Sequence, residues 1–254
     1  MWGIDISKWQ GDLDIKDVAP EFCIIKAGGS DDGLYIDSRF LDNYIKCKNL
    51  GIPCGLYWYT SAVSVTNLRA EIDYLLGNIN GLQFELPIYL DLEEKQLYNK
   101  AGQLAAEWLN VLPNYSYFPG IYSSYSWFED TLKTVKKSML KDQIWLALWM
   151  SGTDPDYDCG IWQNGHIRHD GVEIDHDYMF SDFSFIKEKG LNGFMNKDYF
   201  KDVTADMSSY KAIMWAASKK YVKGYKDGTF RPDNPLTRAQ LCMILWRMAG
   251  RPEP

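Results

Sequence analysis

Glu85-Leu86-Pro87-Ile88-Tyr89-Leu90-Asp91-Leu92-Glu93-Glu94 reads as one strand, an apolar run that ends in acids. Side chains of a strand alternate between its faces, so Asp91 and Glu93 share one face and Leu92 and Glu94 the other. The two shared-face acids stand ~7 Å apart at Cα, a workable separation for a carboxylate pair acting on one bond. Alternation sets Glu94 aside. A strand ending in solvated acids would look the same in isolation, so the flanking sequence has to separate the two readings.

Outward from this stretch, strand-like and helix-like patterns alternate. Residues 3–7, 22–27 and 53–60 precede it as strands. The 22–27 run is near-continuously apolar, as strands buried on both faces are. Helices are expected over 37–50 and 65–76 from apolar residues at helical spacing. After it come a helix at 101–112, a strand at 117–124, a helix at 127–140, and strands at 144–150, 159–163 and 172–175. Eight strands at these intervals over about 190 residues favour a closed barrel of parallel strands. Segments 151–158 and 165–171 are too short and turn-rich for crossover helices, so the last third is expected to be irregular.

In such a barrel the reactive face lies at the C-terminal ends of the strands. That places Asp5, Asp91, Glu93 and Asp175 on one rim, with Tyr57, Tyr59, Tyr122 and Trp149 beside them. Asp177 rivals Asp175, because both lie in Glu173-Ile174-Asp175-His176-Asp177 and the register is open by two. Four carboxyls with an aromatic rim describe a sugar-cleaving cleft better than a lectin, which has no use for clustered like charges. Trp2, Trp108 and Trp145 are assigned to packing.

Composition narrows the alternatives. Net charge is −7, which argues against a nucleic-acid partner. Residues 1–196 carry net −12 and residues 197–254 net +5, two parts of opposite charge. The five cysteines show neither a CxxC pair nor a disulfide framework and are expected as free thiols, Cys23 and Cys54 within strands. His166, His169 and His176 fall in a loop-like region without zinc spacing, so no metal and no cofactor is expected. No apolar run reaches the length of a membrane span, and residues 1–3 lead into a strand without a signal peptide.

Gly3-Ile4-Asp5-Ile6-Ser7-Lys8-Trp9-Gln10, Ile25-Lys26-Ala27, Tyr35-x-Asp37, Gly55-x-Tyr57, Tyr89-Leu90-Asp91-Leu92-Glu93, Gly120-Ile121-Tyr122 and Trp162-Gln163 resemble, in this order over residues 1–186, the glycoside hydrolase family 25 muramidases. The resemblance implies an irregular (β/α) TIM-like barrel with fewer helices than strands. It also implies hydrolysis of the β-1,4 bond between N-acetylmuramic acid and N-acetylglucosamine in peptidoglycan. Carried over by position, it makes Glu93 the general acid, and crowding by Asp91 is a means of raising its pKa. Asp91 would stabilise the developing positive charge, directly or through the substrate's acetamido group. Asp5 and Asp175 would tune that pair, and Gln163 would join the aromatics in holding substrate. Many relatives have Tyr-His-Phe on the third strand where this chain has Tyr57-Trp58-Tyr59.

Beyond a glycine- and asparagine-containing linker at 190–199, helices are expected near 208–220 and over 238–248, a small all-α module at 200–254. Thr237 and Gln240 fit a capping box, Gly250 fits the helix end, and Leu241, Ile244, Leu245 and Met248 form one apolar face. Phe200-x-Asp202-Val203, Trp215-Ala216, Gly224-Tyr225-x-Asp227-Gly228 and Thr237-Arg238-Ala239-Gln240 resemble one surface-layer homology repeat. That resemblance implies attachment to a secondary cell-wall polymer through Thr237 and Arg238. A lone repeat of about 55 residues buries little core, so association with other copies or packing on the barrel is expected. The chain is thus expected to be a lysozyme acting outside the cell at the bacterial wall, with a barrel at 1–189, in the manner of an endolysin or autolysin. The rivals are a barrel glycosidase acting on chitin and a non-catalytic barrel that binds wall glycan.

Overall fold

The computed structural model describes residues 1–152, 154–194 and 199–251. In chain order its strands are β1 (Trp2–Ile6), β2 (Phe22–Gly29), β3 (Tyr35–Ile36), β4 (Cys54–Tyr59), β5 (Ile88–Asp91), β6 (Pro119–Ser124), β7 (Ile144–Ala147), β8 (Ile161–His169) and β9 (Val172–Met179). The helices are α1 (Ile15–Val18), α2 (Phe40–Leu50), α3 (Val65–Asn78), α4 (Ala101–Val111), α5 (Tyr125–Glu129), α6 (Lys133–Lys136), α7 (Ser184–Glu188), α8 (Tyr210–Ser218) and α9 (Arg238–Met248). The sheet runs β1-β9-β8-β7-β6-β5-β4-β2-β3, and β1 also pairs with β2. Eight strands therefore close into a barrel, with β3 as a flap on β2.

Two apolar layers follow from strand alternation. Inside lie Phe22, Ile24, Tyr89, Trp145, Ile161 and Met179, closed at the base by Phe183 and Ile186. Outside, Cys23, Leu56, Leu90 and Ile121 meet helix residues such as Leu68, Ile72, Leu104 and Trp108. Leu68, Ile72 and Leu75 recur at helical spacing on α3, whose first turn is capped by Ser64 Oγ accepting from Asn67 N–H. Trp108 Nε1 donates to the Ile88 carbonyl at 3.2 Å and fastens α4 to β5. Gly120 is required inside, because a Cβ there would come 2.3 Å from the Tyr89 ring.

Three sequence expectations change. The helix expected at 127–140 is broken into α5 and α6, since Thr131 Oγ1 bonds the Tyr98 carbonyl and Leu132 is buried, pulling the chain off the helical path. The loop expected at 165–171 is part of a long hairpin, β8–β9, so the three histidines lie on strands. Strand β9 is antiparallel to both neighbours, not parallel, because a tight turn at Asp170-Gly171 joins it to β8. Among the described residues no helix lies between β7 and β8.

The segment expected as a linker begins inside the barrel's base: Asn192 is fully buried, donating to the Leu86 carbonyl and accepting from Phe118 N–H, both at 2.7 Å. Residues 195–198 of that segment lie outside the described residues. Beyond them Phe200, Val203, Met214 and Ala217 form a separate small core. Thr237 and Gln240 make the expected capping box, and Gly250 takes φ +78 after the helix. Helix α9 buries no residue, and its expected apolar face is open, with Leu245 55% exposed. Lys219 and Lys220 reach Asn80 and the Asn114 carbonyl on the barrel. All five cysteines are free and Cys242 alone of them is exposed.

Candidate active site

Strand ends carry the acids at the barrel mouth. Asp5, near the end of β1, stands opposite Asp175 on β9. Asp91 closes β5 between its register partners Tyr59 and Tyr122. Pairing with β6 runs one residue further, where Leu92 N–H donates to the Tyr122 carbonyl at 3.0 Å. Leu92 is fully buried in the outer layer, and anchoring it outward turns Glu93 back over the mouth, where it is exposed. Asp5 and Asp91 are 5% and 4% exposed.

The expectation for Asp175 needs a correction of geometry. It is not at the C-terminal end of its strand; antiparallel β9 brings its N-terminal half to the rim. Glu94 also departs from the simple pattern. Alternation lapses after Leu92, and a 3-10 turn, Lys95–Lys100, begins at Glu94, whose carboxylate accepts from the Tyr59 hydroxyl at 2.5 Å.

Gln163 links three of the other expected residues. Its Nε2 donates to Asp5 Oδ2 at 2.9 Å, while its Oε1 accepts from Tyr122 Oη at 2.9 Å and Trp149 Nε1 at 3.2 Å. Trp149 is 59% exposed on the rim, held by one hydrogen bond and an edge contact with the His166 ring at 5.6 Å. Tyr57 lies inward with its ring 5.9 Å from Trp145. Trp145 does more than pack, since its Nε1 donates to Asp177 Oδ1 at 2.8 Å.

Burial is the leading cause of every shifted carboxyl here. It raises Asp91 well above the usual range, helped by Glu93 and opposed by Lys26. Glu93 is raised by desolvation, with Lys26 opposing and Glu94 and Asp175 adding, rather than by the crowding from Asp91 that its spacing suggested. Asp175 is raised by desolvation and by Glu173, with His166 opposing. Asp5 is pushed up to about 8 by burial and by Asp175. Asp177, fully buried beneath it, is raised well above the usual range by burial and by Asp5, and its Oδ2 has no hydrogen-bond partner among the described residues. So Asp175 and Asp177 both face inward: Asp175 at the rim, Asp177 as a buried acid beneath Asp5.

That pairing has a consequence for stability. A carboxyl whose folded pKa exceeds its unfolded value holds its proton more tightly in the native state. The stability it contributes is present below the unfolded value, near 4, and is lost as pH rises through the folded value, about 8 for Asp5. The melting temperature is therefore expected to fall between about pH 5 and pH 8. Asp177→Asn, which keeps the acceptor for Trp145 and removes a buried titrating carboxyl, is expected to flatten that slope. Calorimetry across the window checks it, and an unchanged slope would remove the proton from the pair.

Lys26, within the Ile25-Lys26-Ala27 motif, has no role that the sequence alone assigns. Its position two residues beyond Ile24 on β2 was the available signal, because Phe22, Ile24 and Lys26 share the inward face. Asp37 is another such residue: buried, it accepts from Lys8 N–H at 3.1 Å and Arg39 N–H at 2.9 Å, tying the turn after β1 to the start of α2.

Comparison with known proteins bears on this arrangement. The model for glycosyl hydrolases family 25 matches residues 4–169, and that for the S-layer homology domain matches residues 199–242. The chain is 27% identical over 164 residues to Lysozyme M1 of Streptomyces globisporus, covering 58% of this chain and 54% of that protein. It is 28% identical over 153 residues to the Autolytic lysozyme of Clostridium acetobutylicum, covering 58% and 44%. The chain thus spans about half the length of these curated relatives. In fold it is similar to the CTP1L endolysin, with TM-score 0.63 and 18% identity over 98% of each chain. The bacterial lysozyme from Streptomyces coelicolor gives TM-score 0.55 and 23% identity over 76% of this chain and 97% of that one.

Proposed function

The chain belongs to glycosyl hydrolases family 25, and from that premise we propose that it is an N-acetylmuramidase cutting the β-1,4 bond between N-acetylmuramic acid and N-acetylglucosamine. The observation that carries this reading is the convergence of Asp5, Asp91, Glu93 and Asp175 on one rim, with carboxyls raised by burial. Raised carboxyls keep a proton available near neutral pH for a leaving oxygen. Glu93, the exposed member, donates that proton as the C1–O bond breaks. Asp91, buried behind it, faces the positive charge that develops at the anomeric carbon. Glu93, now ionised, takes a proton from the water that completes hydrolysis. Asp5 and Asp175 hold the charge balance of the pair, Gln163 and Tyr122 fix Asp5, and Tyr57, Tyr59 and Trp149 offer apolar faces to sugar rings.

Both curated relatives are lysozymes by name, which favours the muramic linkage over chitin. Mass analysis of products from purified peptidoglycan tests the reading, because a muramidase leaves N-acetylmuramic acid at the new reducing end. Release of N-acetylglucosamine reducing ends instead, or binding without turnover, would overturn it.

In the same reading residues 1–189 form the catalytic barrel, and residues 200–254, with net +5, a module that attaches to an anionic secondary polymer of the wall. Thr237 is engaged in its cap, which leaves the exposed Arg238 guanidinium as the group for a polymer anion. Arg238→Ala is expected to lower the fraction of full-length protein that pellets with intact walls. Walls stripped of secondary polymer should abolish the difference between variant and parent, and equal pelleting on intact walls would sink the assignment.

A further inference from the structure

Burial and the neighbouring acids raise both members of the catalytic pair, which favours a second proton on it. A pair with two protons has an acid but no anion to face the sugar cation. A device that limits it to one proton is therefore needed.

Lys26 is placed to be that device. It points inward from β2, and its ammonium lies 4.6 Å from the centroid of the Tyr59 ring and 5.7 Å from that of Tyr57. Tyr59 is itself held by Glu94, so the platform under the ammonium is fixed. Among the described residues Lys26 makes no ion pair within 4.0 Å and no hydrogen bond, so its charge acts across the mouth instead of being neutralised by one partner. Tyr59 pairs in register with Asp91 on the next strand, so the ammonium over its ring sits beside the acid pair. Lys26 is the cation that opposes burial at both Asp91 and Glu93. The other charges facing the pair are Glu94 from the same segment, Asp5 from β1 and Asp175 from β9, all acidic. Lys8, the next cation on this bank, rests on the rings of Trp9 and Tyr35 at 5.1 and 5.8 Å.

We propose that Lys26 is a charge-setting, positioning residue: its ammonium, seated on Tyr57 and Tyr59, holds the Asp91–Glu93 pair at one proton across the working pH range. The proposal rests on the muramidase reading of the same site. Removing a cation raises the pKa of each nearby acid, so both limbs of the pH–rate profile move to higher pH in Lys26→Met. A shift of about one pH unit is expected, with the rate on the acidic limb down about tenfold. Lys26→Arg, which keeps the charge, should restore the limbs. The limbs are read from kcat for reducing-end release from purified peptidoglycan, with KM measured alongside. If the parent fails on peptidoglycan, the muramidase reading fails. If the parent is active and Lys26→Met keeps its limbs, or changes KM alone, Lys26 is packing or a substrate ligand and the proposal is overturned. A carbon-13 carboxyl NMR titration of the Lys26→Met and parent proteins without substrate reads the same shift independently of turnover. Unmoved titrations of Asp91 and Glu93 in a folded variant also overturn it.

Discussion

Glu93→Gln is expected to lower kcat on peptidoglycan by about a thousandfold, within the range of a lost general acid, while leaving folding and wall binding intact. The side chain is exposed at the mouth and makes no structural hydrogen bond among the described residues, so its amide costs the fold little. What is lost is the proton for the leaving oxygen. In the parent, the alkaline limb of the profile follows Glu93, whose pKa desolvation places above the ordinary carboxylate range, so activity should extend toward neutrality before it falls. Turbidity clearing of a wall suspension measures both effects. A variant that clears as fast as the parent would move the acid elsewhere on the rim.

Asp91→Asn is expected to cost roughly a hundred- to a thousandfold in kcat, the scale of removing one preorganised electrostatic group from a water-poor site. Asp91 is 4% exposed, and its Oδ1 is buried without a hydrogen-bond partner. Such an atom costs stability when nothing else is served, so the asparagine variant should melt no lower than the parent while turning over far more slowly. Stability retained with activity lost is the signature of a group kept for chemistry. Adding azide to Asp91→Ala separates the two ways it can act. A glycosyl azide product means that Asp91 contacts the sugar itself. Its absence, with residual turnover, means that the acetamido group attacks.

Much of the site was legible in one dimension, because strand alternation and the barrel rule together place residues on a rim. Asp5, Asp91 and Glu93 are each tied to a strand end by their own flanking apolar residues, Ile4 and Ile6 or Leu90 and Leu92. Asp175 reaches the mouth by a different route from the one its run of residues suggests: its strand runs the other way, and its N-terminal half lies at the rim. Glu94 was set aside by a periodicity that ends with the strand. Lys26 was visible without a role and Asp177 only as a rival for the place of Asp175, since only packing brings Lys26 over Tyr57 and Tyr59 and puts Asp177 beneath Asp5.

The sequence by itself determined which residues could be buried together: period-two apolar runs dictate the strands, helical spacing dictates α2, α3 and α4, and the acids follow from where the runs stop. Local propensity and pattern suffice there because each element buries one predictable face. Tertiary structure alone decided the direction of β9, the break between α5 and α6, and the burial of Asp177 beneath Asp5. Each of these depends on partners far away in the chain. Asp177 lies beneath Asp5 across the barrel seam, Thr131 is drawn to Tyr98, and the raised pKa of both carboxyls comes from desolvation that exists only once the barrel has closed.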